Sequence, residues 1–155
     1  MDQNGKFETF KALHEGGGAF VMANPWDAGT ARLLEAAGFA ALATTSAGYA
    51  FCAGRRDSVA GLGRQEILDN AADIVAATRL PVSADLEDGF GETPQICAET
   101  IAMAVDVGLV GGSIEDATGD AAAPIYEFAL AVERVQAAAE AALGYWGKFW
   151  GALAP

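Results

Sequence analysis

Apolar runs and amphipathic stretches alternate along this chain four times. A short opening helix is predicted first, with Phe7, Phe10 and Leu13 on or near one face, and Gly16-Gly17-Gly18 breaks it. The first apolar run covers 19–26, and a helical segment over 27–37 follows and stops at Gly38. The second run, 39–47, leads into a long loop and then a helix from about Arg64 to Thr78. That helix places Ile67, Ala71, Ile74 and Thr78 on one face, the spacing of a buried stripe. The third run is 80–85. Thr93-Pro94 then supplies an N-cap and first helical position for a helix predicted to bury Ile96, Thr100 and Met103. The fourth run, 109–114, passes through an acidic small-residue loop to Pro124. Phe128, Val132, Val135 and Ala139 mark the last helix.

Four βα units in succession imply parallel strands joined by crossover helices, because successive strands of one direction need such connections. Strands that read as continuous apolar runs fit a sheet covered on both faces. Alternation alone leaves two architectures open, a barrel and an open doubly wound sheet. After Leu143 the character changes: GYWGKFWGALAP carries two of the three tryptophans and no helical or strand period. Residues 144–155 therefore read as an irregular tail rather than a fifth strand, set apart from a domain over 1–143.

Composition narrows the function classes. Hydrophobic residues make up 52% of 155 and charged residues 19%, which excludes a disordered chain. Nine basic residues against 21 acidic ones give a net charge of −12. Such a chain repels nucleic acid and anionic membranes. Cys52 and Cys97 match no metal or redox spacing, so two reduced thiols are expected. The first ten residues hold no apolar signal region. The charge-free stretch 36–54 is too rich in Gly, Thr and Ser for a membrane span. A cytoplasmic protein is expected. His14, on a polar helix end, reads as a surface residue.

In either parallel architecture, functional residues gather where the strands end. Here those ends are Asn24-Pro25-Trp26-Asp27, Thr44-Thr45-Ser46-Ala47-Gly48, Asp85-Leu86-Glu87-Asp88-Gly89 and Glu115-Asp116. Asp85 and Glu87, two apart, face the same way if the strand continues through them. Carboxylates packed into one mouth repel unless a cation joins them. Oxygen ligands without nearby His or Cys favour Mg²⁺ or Mn²⁺ over zinc. Ser46, followed by small residues, either makes a tight turn or offers N–H groups and a hydroxyl to an anion. A phosphoacceptor signalling domain would need paired acids at the first strand end and a late lysine. Asp27 stands single there and Lys148 lies in the irregular tail, which argues against that class.

At these segments the chain resembles a known group. NPWDAGTARLLEAAGFAALATTSAGYA, GRRDS, PVSADLEDGFGETP and VGGSIEDATGD are similar, in order and spacing, to the isocitrate lyase/phosphoenolpyruvate mutase superfamily, short-chain branch. The resemblance runs from about Phe7 to Ala142. It implies an α/β fold, the parallel (βα)4 half of a TIM-type (β/α)8 barrel preceded by a short N-terminal helix. By position, Asp85 matches the family's metal aspartate and Glu87 its second acid. Asp57 and Glu115 match outer acids that hold metal-bound waters. Thr45, Ser46, Ala47 and Gly48 match the segment that grips the substrate's carboxylate or phosphonate. The implied activity is Mg²⁺-dependent (or Mn²⁺-dependent) cleavage or rearrangement of C–C or P–C bonds in small 2-oxo acids or enolpyruvate-type substrates, through an enolate.

The departures from the family shape a second expectation. The Lys-Lys-Cys-Gly-His segment of the lyase members is absent after strand four, where Glu115-Asp116-Ala117-Thr118-Gly119-Asp120 stands instead. Cys97, on the third helix, cannot replace its cysteine, which argues against isocitrate or methylisocitrate cleavage. Arg56 precedes Asp57 where many relatives carry Pro. A complete barrel of this type takes about 250 residues. Strands five to eight and the substrate-clamping arginine of strand five are therefore expected to be missing, as in a frameshifted or truncated product. The alternative to an enzyme is a catalytically inactive half-barrel that binds metal or self-associates, and a homo-oligomer is expected in either case.

Overall fold

The computed structural model describes residues 1–58, 61–145 and 147–151. Helix α1 (Gln3–Glu15) precedes β1 (Met22–Ala23), α2 (Ala28–Ala36), β2 (Ala41–Ala43), α3 (Ser46–Cys52) and α4 (Arg64–Ala77). Then come β3 (Val82–Asp85), α5 (Pro94–Asp106), β4 (Gly111–Ser113), α6 (Phe128–Gly144) and β5 (Trp150–Gly151). The strands form one parallel sheet in the order β1-β2-β3-β4-β5. This order decides between the two architectures left open by the sequence. A doubly wound sheet reverses its strand order at a switch point, whereas a barrel advances in one direction. The sheet advances throughout, as half a barrel does.

Each helix start has a local cause. Asp27 accepts from the Thr30 N–H at 2.7 Å and Thr30 returns the bond, closing a capping box before α2. Thr93 caps α5 ahead of Pro94, as its sequence predicts. The ladder shows the same economy. A Cβ on Gly111 would stand 2.8 Å from Phe10 Cε1, and one on Gly112 would stand 2.9 Å from Leu86 Cδ1. Two adjacent glycines thus let α1 approach one face of the sheet and the turn after β3 approach the other.

Two clusters divide the interior along the strand alternation. Leu42, Val82 and Ala84 face Ala31 of α2, Leu68, Ala71 and Ile74 of α4, Ile101 and Ala104 of α5, and Ala138 of α6. Ala41, one residue out of phase with Leu42, packs with Phe7 and Phe10 of α1, as does Val110 just ahead of β4. Helix α1 is pinned through Lys6, which donates to the Val75 and Thr78 carbonyls at 3.1 and 2.9 Å. Burial lowers the Lys6 pKa, and the negative Glu35 opposes that shift. Among the described residues no helix is long and apolar enough to cross a membrane.

Several expectations need correction. The tail does contain a fifth strand: Trp150 and Gly151 pair in parallel with Gly111 and Gly112. A two-residue strand is too short to show a period, and residues 152–155 lie outside the described residues. The loop after β2 begins with a helix, α3, nucleated by the Thr45 side chain on the Gly48 N–H. Helix α5 buries Cys97, Thr100, Ile101 and Ala104, leaving Ile96 and Met103 half-buried. Helix α6 buries Arg134, Ala138 and Ala142, while Phe128 is 80% exposed and Val132 47%. His14 is half-buried, with Phe10, Phe20 and Trp150 around its ring. Cys52 is exposed and Cys97 buried, both as free thiols.

Candidate functional site

The sheet has unlike ends. At the N-terminal end α1 covers the face that carries Ala41 and Val110. Toward the C-terminal end the same face opens into a hollow of about 480 Å³ lined by Met22, Asn24, Thr44, Thr45, Ser83 and Asp85 among others. Small and polar side chains line it, as suits a wall facing a ligand rather than a core.

Asp85 closes β3 and is fully engaged. Its Oδ2 accepts from the Ser46 N–H at 3.0 Å and from the Ser46 hydroxyl at 2.7 Å. Its Oδ1 accepts from the Glu87 N–H at 3.1 Å, and its own N–H donates to Thr44 Oγ1. The candidate anion-gripping segment Thr45-Ser46-Ala47-Gly48 therefore already holds a carboxylate, that of the protein itself. Gly48 is needed there, because a Cβ would stand 2.6 Å from Thr45 Cγ2 and 3.2 Å from Trp26 Cβ.

Glu87 does not continue the strand. Its φ is +47°, so the chain turns left-handed directly after β3, and Phe90 repeats this at +66°. The side-by-side placement expected from strand alternation is replaced by a turn in which the Glu87 N–H meets the Asp85 carboxylate. Glu87 is 7% exposed, and its Oε2 is buried without a hydrogen-bond partner. Its pKa is pushed up to about 7, by burial first and then by the negative charges of Asp85, Asp88, Asp57 and Glu115. Glu115 is raised by desolvation and by the same field of acids, with Asp116 added. Its N–H donates to the Glu87 carbonyl at 2.7 Å, which ties the ends of β3 and β4 together. Asp57, exposed on the loop after α3, acts on Glu87 and Glu115 through its charge.

Four sequence-predicted acids thus share one electrostatic neighbourhood. Among the described residues, no group of three or more His, Cys, Asp or Glu side chains is placed to hold a metal ion together. Three residues around the mouth were given no site role by the sequence reading: Asp88, Tyr126 and Arg134. Asp88 is buried, its Oδ1 accepting from the Phe90 N–H at 2.9 Å and its Oδ2 from the Tyr126 hydroxyl at 3.2 Å. Arg134 of α6 lies over the Tyr126 ring, 3.9 Å from its centroid. Asp88 stood inside the acidic run as a visible signal. An arginine within an amphipathic helix carries none, since its usual place is the solvated face.

A singly wound parallel sheet with carboxylates at its strand ends has the architecture of half a (β/α)8 barrel with a polar mouth. The chain belongs to the phosphoenolpyruvate phosphomutase family, whose family model matches residues 10–146. It is 56% identical, with a TM-score of 0.93, to a candidate lyase/mutase of Burkholderia cenocepacia J2315, covering 97% of this chain and 53% of that one. A candidate phosphonomutase of the same organism is 36% identical at a TM-score of 0.86, covering 97% and 59%. A 2,3-dimethylmalate lyase, a member of the PEP mutase/isocitrate lyase superfamily, is 25% identical at 0.84, covering 96% and 52%. The chain thus spans little more than half the length of these proteins. The superfamily and the half-barrel fold read from the sequence are both borne out.

Proposed function

We propose that the acidic mouth binds Mg²⁺, or Mn²⁺ in its place, and that it serves lyase or phosphonomutase chemistry on small 2-oxo acids or enolpyruvate-type anions. The observation that carries this reading is the buried, unpartnered Oε2 of Glu87 in the field of Asp85, Asp88, Asp57 and Glu115. A buried carboxylate oxygen with no donor costs several kcal/mol unless a proton or a cation meets it. The donor set is all oxygen, which suits a hard cation. Mg²⁺ in particular keeps several waters and binds through one or two carboxylates, so it needs no closed protein cage.

In this reading Asp85 and Glu87 hold the cation, while Asp57 and Glu115 hold its waters. The bound ion supplies Lewis-acid stabilisation for an oxyanion developing on the substrate. Thr45, Ser46, Ala47 and Gly48 receive the substrate's carboxylate or phosphonate. Support for that role comes from Ser46, whose N–H and hydroxyl already hold a carboxylate. The reaction class rests on the family, on the 36%-identical candidate phosphonomutase and on the 25%-identical dimethylmalate lyase.

The test is a thermal melt with and without Mg²⁺ plus oxalate, a mimic of the enolpyruvate oxyanion. A ligand that binds only the folded state raises the midpoint by mass action. An upward shift in the wild type that disappears in Asp85→Ala is expected. A midpoint indifferent to both additions would overturn the proposal.

A further inference from the structure

The turn that carries Glu87 is held down by side chains from the next two helices. Its backbone is in a left-handed conformation at Glu87, Gly89 and Phe90. Two of those three residues carry a Cβ, and such conformations persist only where the surroundings fix them. The carbonyls of the turn show how they are fixed. Asp88 and Gly91 both offer their oxygens to the guanidinium of Arg134, one to each terminal nitrogen. Gly89 offers its oxygen to the Thr100 hydroxyl of α5 at 2.8 Å. Arg134 is 1% exposed, the largest of the fully buried side chains. Its planar face covers Tyr126, whose hydroxyl reaches the Asp88 carboxylate.

A buried arginine that only neutralised charge would point at a carboxylate. This one spends both terminal nitrogens on main-chain oxygens and leaves the side chain of Asp88 to Tyr126. The fork geometry of guanidinium suits two carbonyls at a fixed separation, which a lysine cannot match. We infer that Arg134 and Tyr126 are positioning residues, a clamp from α6 and its leading loop that sets the conformation of the acidic turn 85–91. The consequence for cation binding rests on the proposed function, whereas the clamp itself does not.

Two variants of the full chain test it, by amide hydrogen exchange and by calorimetric titration with Mn²⁺ alone. Arg134→Lys keeps the charge and loses the fork. Tyr126→Phe loses one hydroxyl and keeps the ring, so its folding is not in question. The Gly89 and Phe90 amides, bonded to the Leu86 carbonyl and the Asp88 carboxylate, are expected to exchange about tenfold faster in Arg134→Lys. In Tyr126→Phe the Phe90 amide alone is expected to speed up, by roughly threefold. The amides of α4 should keep their wild-type rates in both. Mn²⁺ affinity is expected to fall in the same order. Exchange that rises equally in α4 and the turn would reduce Arg134 to general support and overturn the clamp, as would unchanged turn rates. Equal Mn²⁺ affinity in wild type and variants would overturn its link to the site. A wild type that binds no Mn²⁺ overturns the metal reading instead, and the exchange rates still decide the clamp.

Discussion

The two ends of this sheet are built on opposite principles. At the N-terminal end Phe7 and Phe10 are buried against Ala41 and Val110, and Gly111 makes room for the Phe10 ring. Lys6, the charged group there, has two carbonyl partners. At the C-terminal end a carboxylate oxygen is buried without a partner, three left-handed positions fall within four residues, and four acids act on Glu87. The first arrangement agrees with itself at every level and serves folding. The second breaks local rules and persists because the rest of the fold holds it, which is where function is expected.

The largest way to break the contrast is at the base. Phe10 is fully buried and its ring meets His14 at 4.4 Å between centroids. Phe10→Ala should cost about 3–5 kcal/mol through lost burial and the cavity left behind. Urea unfolding reads this directly. A loss below 1 kcal/mol would mean that α1 is dispensable and that the base carries no more of the stability than the mouth.

The same contrast explains what the sequence disclosed. The base and the outer face follow from periodicity: Ile67, Ala71, Ile74 and Thr78 are buried as their spacing implies. On α6 the spacing misled, because an apolar stripe reports that a face is greasy and not which neighbour covers it. There Ala138 and Ala142 pack into the core, while Phe128, Val132 and Val135 line a hollow of about 730 Å³ beside the end of β4. At the mouth the acids were legible as residue types at strand ends. Their arrangement was not, since nothing in Asp85-Leu86-Glu87 announces a positive φ on a glutamate. Arg134 was invisible for the related reason that its partners are main-chain oxygens 43 and 46 residues away.

A middle-sized effect sharpens the comparison through pH. Glu87 titrates at about 7 in the folded chain against an ordinary 4.5. The unfolded chain therefore loses this proton first as pH rises. Stability from Glu87 is complete below about pH 4.5, falls across the interval to 7, and is gone above it. The shift corresponds to a loss on the order of 3 kcal/mol. Glu87→Gln removes the titration, so the stability difference between variant and wild type should grow by that amount from pH 4.5 to 7.5. Urea melts at the two pH values measure it. A difference that does not change with pH would mean that Glu87 ionises freely in the fold.

The smallest effect separates stability from function within the mouth itself. The helices begin where the strands end, so their caps sit beside the acids without belonging to them. Thr93 accepts from the Ile96 N–H at 3.4 Å and precedes Pro94, an arrangement that serves only the first turn of α5. Thr93→Ala should cost about 1 kcal/mol. It should leave the midpoint shift produced by Mg²⁺ and oxalate as it is in the wild type. Glu87→Gln should do the reverse near neutral pH, gaining stability while losing that shift. The two variants lie six residues apart in one connection, so opposite signs in the two readouts would locate the division between scaffold and site inside a single loop. If Thr93→Ala also abolished the response to Mg²⁺, the mouth would be one cooperative unit in which a lost cap loosens the whole turn, and the contrast between satisfied and unsatisfied groups would hold between the ends of the sheet but not within one of them.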